Sequence, residues 1–343
     1  MININNGIEN PFYYYPIASI IIVTYNHENY IVECLNSVSE QKYPHEIILI
    51  DNGSIDETCE LIKTKFPNIK IIQNLKNSGY GAANNLGVRY SHGEFIVILN
   101  PDTIVSECWL ENLVIPLIEN DSLITTPKIL CYDGSKINTC GNINHFTGLT
   151  FTQGLGEPRK CFDSPLFVSG VSGACFAMKK EDYRKLKGFD ESFFLYNEDS
   201  DLSWRAHLSG IRIIFVPNSI LFHDYILTIS PEKVFNLEKG RYFIIRKYFA
   251  IDDLFILLPS LLCAEILSFG LASKLGLKGI FYKMLSVYFG FFTKIEKING
   301  DKKNLFSNLP ETIPIDQLTS NEFERFILSS INKIFIKNIR MIK

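Results

Sequence analysis

The sequence predicts an α/β fold: a doubly wound, mostly parallel sheet with helices on both faces, followed by a helical, apolar and basic C-terminal extension. Three observations carry this. In the first hundred of the 343 residues, near-continuous β-branched runs alternate with amphipathic segments at short spacing, the pattern of parallel strands covered on both faces by crossover helices. Those runs stop abruptly at polar turns, Thr24-Tyr25-Asn26, Asp51-Asn52-Gly53 and Asn100-Pro101-Asp102, at the carboxyl strand ends where open α/β sheets bind ligands. After residue 230 the chain becomes apolar and aromatic, studded with Lys and Arg.

Each element follows in order. "IASIIIV" (17–23) reads as a buried strand and "ENYIVECLNSVSEQ" (28–41) as an amphipathic helix. "EIILID" (46–51) and "IKIIQN" (69–74) are the next strands, with the helix "ETCELIKTKF" (57–66) between them. "YGAANNLGVRYS" (80–91) is a helix and "EFIVILN" (94–100) a strand. Pro101 cannot donate to a ladder, so the chain leaves the sheet there. From about 120 to 225 the pattern is more mixed, with strands at 172–180 and 211–223. A helix covers 197–210, with Asn197 as N-cap, acids in its first turn and Gly210 at its end. The organisation expected is an extension over 1–16, an α/β domain over 17–230 with halves 17–105 and 106–230, and a helical region over 231–343.

An apolar fraction of 46% with 21% charged residues is that of a globular protein. The net charge of −3 is unevenly spread: residues 1–238 hold 18 Lys+Arg against 28 Asp+Glu, and residues 239–343 hold 16 against 9. An acidic body argues against nucleic acid as a partner, and a basic tail fits an anionic membrane surface. Eight scattered cysteines without a CxxC pair point to reduced thiols, and no signal peptide is read at the start, so the body is expected in the cytoplasm. Residues 254–273 are nearly all apolar, about the length that spans a bilayer. Pro259 and Glu265 interrupt them, and an acid at mid-span costs about 3 kcal/mol. Lying in the interface, with Lys274, Lys278 and Lys283 toward lipid headgroups, is the favoured reading over a true span. Packing on protein is its competitor.

Six features carry chemistry. Thr24, Tyr25 and Asn26 stand at the first strand–helix turn, where doubly wound folds receive a nucleotide. Asp51 ends the neighbouring strand, where a carboxylate can accept the ring N–H of uracil or thymine. "NSGYGAANNLG" (77–87) holds Gly79-x-Gly81 but fails the dehydrogenase fingerprint, which belongs after the first strand and needs a third Gly where Asn84 stands. Its glycines let backbone approach a ligand, with Asn84, Asn85 or Arg89 lining the helix start. In "FFLYNEDSDLSWR" (193–205), Arg205 lies four residues after Asp201, on the same helix face, which leaves Asp199 free to act as a general base. His223 closes the strand "ILFH", and a lone His is more often structural than functional. Asn100 and Asp102 are read either as ligand-binding groups or as caps for a helix starting near Ser106.

The ordered set TYN, IDNGSID, NxG, NPD, ED-x-DL-x-x-R and a late His resembles the inverting glycosyltransferase family 2, of GT-A fold, over residues 17–225. It is similar in particular to the rhamnosyltransferase-like branch, in which "LNPDT" replaces the more usual DxD. The resemblance implies that Asn100-Pro101-Asp102 grips a sugar diphosphate and a divalent cation, Mg²⁺ or Mn²⁺, with Asp102 and His223 as its ligands. It implies that Thr24, Tyr25 and Asp51, with Asn26 beside them, hold the base, that Gly79 and Asn84 flank ribose or phosphate, and that Asp199 is the catalytic base. Asn100 replaces the first acid of DxD, so the cation site is poorer in charge. Residues 17–105 would then form the nucleotide-sugar half and 106–230 the acceptor half, with Gly170 and Gly173 shaping the acceptor side. The implied reaction moves a sugar from a nucleotide-diphospho-sugar, dTDP-rhamnose or a UDP-hexose, to a hydroxyl of a glycan acceptor. The apolar basic tail suggests that this acceptor is lipid-linked, in cell-surface polysaccharide synthesis on the cytosolic face of the membrane. A pyrophosphorylase would need a Gly-rich, Arg-containing first loop, and a processive synthase a Q-x-x-R-W signature. The alternative kept is a non-catalytic nucleotide-sugar-binding scaffold.

Overall fold

The computed structural model describes residues 18–225, 228–298 and 300–343; the extension expected over 1–16 lies outside the described residues. The first half alternates β1 (Ala18–Thr24), α1 (Ile31–Ser39), β2 (His45–Asp51), α2 (Thr58–Lys65), β3 (Lys70–Gln73), α3 (Tyr80–Tyr90) and β4 (Phe95–Leu99). These strands pair in parallel in the order β3-β2-β1-β4. All seven residues of β1 are buried, because the strand is covered on both faces. Ile20 and Ile22 pack with α1 and Leu35, whereas Ile21 and Val23 pack with Ala83 and Val88 of α3.

The second half contains β5 (Thr103–Val105), α4 (Trp109–Glu119), β6 (Leu123–Cys131), β7 (Ile137–Thr139), β8 (Asn142–Asn144), β9 (Thr150–Thr152), β10 (Leu166–Phe167), β11 (Cys175–Lys179), α5 (Lys180–Lys185), α6 (Glu198–Leu208) and β12 (Arg212–His223). The main sheet runs β10-β12-β6-β11-β4-β1-β2-β3, and β8-β9 form a separate hairpin. β11 enters antiparallel between β4 and β6, and β12 pairs in parallel with β6. β5 lies antiparallel against the end of β12, with Thr103 opposite His223. This pairing sets Asp102 beside the histidine.

Asn197 stands at the N-cap position of α6 but does not cap it with its side chain. Its φ is 67°, left-handed, and its Nδ2 donates to Leu237 O at 2.9 Å. Gly240 makes this approach possible, since a Cβ there would lie 2.5 Å from Asn197 Nδ2.

The C-terminal region is helical: α7 (Pro231–Tyr248), α8 (Ile251–Lys274), α9 (Gly276–Phe292), α10 (Lys302–Asn308), α11 (Ile315–Leu318) and α12 (Glu322–Ile339). Phe243, Tyr248, Leu257 and Phe335 of these helices share a core with Phe146, Phe193 and Trp204 of the α/β part. Among the described residues α8 alone is long and apolar enough to cross a membrane, by length and composition. Lys283 does not face headgroups as expected: it is fully buried, bound to Glu238 and, at 3.0 Å, to Glu265. Arg241 holds the same two acids, Glu238 at 2.8 Å. Glu265 is thus an ion-pair partner within the helical region, because α7 and α9 bring cations to it.

Candidate active site

Asp102 and His223 meet at the carboxyl ends of the strands. Asp102 Oδ1 lies 3.2 Å from His223 Nε2, out of line for a hydrogen bond. Burial alone would raise the Asp102 pKa, but the His223 ring and the more distant His27 outweigh it and hold the carboxyl below its ordinary range. Asp102 Oδ1, both ring nitrogens of His223 and Asn100 Oδ1 are buried without hydrogen-bond partners. Buried polar atoms without partners are costly and rare. Carboxylate, imidazole and amide oxygen together form a donor set suited to Mg²⁺ or Mn²⁺. The residues present therefore fit a divalent cation. Among the described residues no three His, Cys, Asp or Glu side chains cluster as a cage, so a cation here would need further oxygen ligands from outside the chain.

The first strand ends form a rigid platform. Thr24 O accepts from Asn52 N at 2.8 Å, and Asn26, at φ 59°, is clamped by Ser54 and Ile55: its N donates to Ser54 Oγ, and Ile55 N donates to its Oδ1, each at 2.9 Å. Tyr25 is left substantially exposed, its ring available to stack on a planar group. Asp51 is buried and accepts from Ser54 N at 3.2 Å. Asn52, not singled out in the sequence, ties the turn together, accepting from Asn74 Nδ2, Ser78 N and Ser78 Oγ at 3.0–3.1 Å. Gly79 adopts φ +88°, and a Cβ there would lie 2.6 Å from Phe194 O. Asn84 lies one turn into α3, almost fully buried, with Nδ2 donating to Tyr80 O at 3.0 Å and Oδ1 without a partner.

The two acids at the start of α6 differ in environment. Asp199 Oδ2 accepts from Gly173 N at 3.0 Å and Asn142 Nδ2 at 3.3 Å, and Oδ1 from Ser200 N at 2.8 Å. Glu198 is buried beside it with Oε2 unpartnered. Burial pushes both carboxyls up, and mutual repulsion adds to the rise at Glu198. Asp201 is occupied structurally: it holds Arg205 at 2.9 Å, Lys247 at 2.5 Å and Tyr248 OH at 2.8 Å. The Asp201–Arg205 pair expected from the i,i+4 spacing is present.

A short backbone path joins Asn100 to Asp199. Asn100 N donates to Ala174 O at 2.9 Å, and the preceding residue, Gly173, is the one bonded to Asp199. Tyr80 connects the donor side to the same loop: its N donates to Phe194 O at 3.0 Å and its OH to Gly173 O at 2.5 Å. Three groups around the Asp102–His223 pair escaped sequence reasoning. They are His27, within electrostatic reach of Asp102, and Tyr225 and Lys233 near His223. His27 directly follows the Thr24-Tyr25-Asn26 turn, whereas Tyr225 and Lys233 carry no local signal.

Residues 19–187 match the family model described as "Glycosyl transferase family 2", and residues 159–227 that of the "N-terminal domain of galactosyltransferase". The chain carries a family 2 glycosyltransferase domain. The family 2 chain is 31% identical over 126 residues to glycosyltransferase GlyG of Streptococcus pneumoniae, covering 36% of this chain and 42% of that protein. It is 26% identical over 215 residues to rhamnosyltransferase WbbL of Escherichia coli K12, covering 58% of this chain and 80% of WbbL. With the N-acetylglucosaminyl-diphospho-decaprenol L-rhamnosyltransferase of Mycobacterium tuberculosis it shares 25% identity over 236 residues, 60% of this chain and 76% of that one. The GT-A architecture recurs in GalNAc-T7 with UDP, GalNAc and Mn²⁺ (TM-score 0.58, 21% identity, 72% of this chain and 51% of that one). It recurs also in Staphylococcus aureus TarS 1–349 in complex with UDP-GlcNAc (0.56, 19% identity, 94% and 89%).

Proposed function

We propose that this family 2 protein is an inverting, cation-dependent glycosyltransferase that moves a sugar from a nucleoside-diphospho-sugar to a hydroxyl of a lipid-linked glycan. The observation carrying this reading is the path from Asn100 through Ala174 and Gly173 to Asp199. It puts the donor-side strand end, with Asp102 and His223 near it, within one loop of a carboxylate poised as base. Thr24, Tyr25, Asn26 and Asp51 hold the nucleotide, while Gly79 and Asn84 lie at the ribose and phosphate side. Asp102, His223 and Asn100 hold the cation, which when bound supplies positive charge to the leaving diphosphate. The names of the mycobacterial relative and of the TarS complex support a diphospho-lipid acceptor and a nucleotide-sugar donor. dTDP-rhamnose and UDP-hexoses are the donors to test first.

In the transfer, the acceptor oxygen bonds to the anomeric carbon as the bond from that carbon to the donor phosphate oxygen breaks. The electron pair leaves with the diphosphate, and the acceptor proton passes to Asp199, so a single displacement inverts the centre. A raised carboxyl pKa brings Asp199 nearer to the proton it must take. Residues 17–105 act as the donor half and 106–230 as the acceptor half, while 231–343 dock the enzyme peripherally on the cytosolic leaflet in surface-polysaccharide assembly. The outward apolar side chains of α8 and α9, among them Phe255 (72% exposed), Ile266 (69%) and Phe281 (60%), support that docking. A donor-hydrolysis and transfer screen across nucleotide sugars with Mn²⁺ tests the proposal. Asp199→Asn should bind donor as the wild type does and lose about 10²–10⁴ in kcat; wild-type turnover in this variant would remove Asp199 from the role.

A further inference from the structure

Lys233 lies in the first turn of α7, whose N-cap Ser230 accepts from Lys233 N at 3.2 Å. Its ammonium contacts Tyr225 OH and stands 4.8 Å from the Tyr225 ring centroid and 5.4 Å from that of Tyr196. The Tyr225 ring in turn stacks on His223, centroids 5.3 Å apart at 13°. Cation, tyrosines and histidine thus form one cluster at the end of β12, next to Asp102.

The ammonium lacks an anion. The buried cations farther along α7 and on α9 each hold carboxylates: Lys247 has Asp190 and Asp201, and Lys283 has Glu238 and Glu265. Lys233 is half-buried, burial lowers its pKa, and the one nearby group favouring its charge is Tyr196. Among the described residues no carboxylate lies within ion-pair distance of it. A half-desolvated ammonium held between aromatic rings is stabilised by their π faces, and it remains open to a strong anion. Phosphate is the anion that the site beside it is built to receive.

We propose that Lys233 binds the β-phosphate of the donor and of the nucleoside diphosphate released from it. This rests on the nucleotide-sugar reading above and extends it to a residue outside the family 2 match. As the anomeric C–O bond breaks and its electron pair moves onto the β-phosphate oxygen, the ammonium faces the growing charge and keeps its own proton. Asp199 takes the acceptor proton. Tyr225 and Tyr196 act as positioning residues that fix the ammonium beside the Asp102–His223 pair.

The test is calorimetric titration of the full chain, with Mn²⁺ present, using UDP against UMP and dTDP against dTMP. Wild type should bind one diphosphate more tightly than its monophosphate. Lys233→Gln should weaken that diphosphate by about ten- to hundredfold, the scale of one charge-assisted phosphate contact, and leave the monophosphate unchanged. Lys233→Arg should stay near wild type. Equal losses for both nucleotides, or none, would overturn the assignment of Lys233 while leaving the donor site standing. If the wild-type chain bound no nucleotide at all, the nucleotide-sugar reading would fall with it. A thermal melt of Lys233→Gln close to wild type establishes that the comparison is between folded proteins.

Discussion

Lys283 distinguishes a helical region packed by its own charges from one that uses this lysine to grip lipid. Lys283→Met keeps the length and removes the ammonium. Taking one partner from a buried ion pair costs about 3–5 kcal/mol, because the remaining charge stays buried. Here Arg241 still touches both Glu238 and Glu265, so the loss should fall at the low end, about 3 kcal/mol. An unfolding entropy of about 2.1 cal/mol/K per residue gives about 0.7 kcal/mol/K for the chain, so Tm should drop by about 4 °C. Differential scanning calorimetry measures this, and flotation on anionic vesicles should show unchanged binding at temperatures where the variant is folded. An unshifted Tm with weakened vesicle binding would refute the buried-network reasoning and restore the headgroup role.

Two further outcomes follow from the same structure. Glu198 is buried with its carboxyl pushed up, so its favourable contribution is fully present below the unfolded carboxyl pKa and is lost as pH rises through the raised folded value. Glu198→Gln should therefore gain stability relative to wild type between pH 5 and pH 8.5 in thermal melts; a gap that stays constant across that range would contradict the assignment. Replacing Phe255, Ile266 and Phe281 together by Glu should move the protein from the membrane to the soluble fraction and leave hydrolysis of the donor intact. Membrane retention by the triple variant would shift the docking role to other surfaces.

The strands that reach the site were legible where periodicity was strong. β1, β2 and β4 are apolar runs closed by polar turns, and their bounds fall within a residue or two of those expected. β6 was hidden, since "LITTPKILC" carries buried polar groups whose partners are distant in sequence: Thr125 Oγ1 donates to Leu113 O at 2.8 Å and Lys128 Nζ to Asp163 at 2.8 Å. The Asp201–Arg205 pair was readable because helical spacing makes it local. The meeting of Asp102 and His223 was not, because only the β5–β12 pairing brings them together; resemblance to a family supplied it. Lys283 misled for the same reason. With Lys274 and Lys278 it reads as a surface stripe, and the acids that bury it belong to other helices.

The bonds from Tyr80 to Phe194 and Gly173 have a mechanical consequence. The Tyr80 backbone N–H holds the glycine-rich turn against Phe194 in the segment entering α6, and its phenolic OH ties the same residue to the Gly173 loop. On the proposed reading, the gap between the sugar's reactive carbon and Asp199 is then a fixed dimension of the scaffold. If the ends of β1 and β2 grip the nucleotide as proposed, substitutions there can retune the donor without resetting that gap, so one framework could serve many donors.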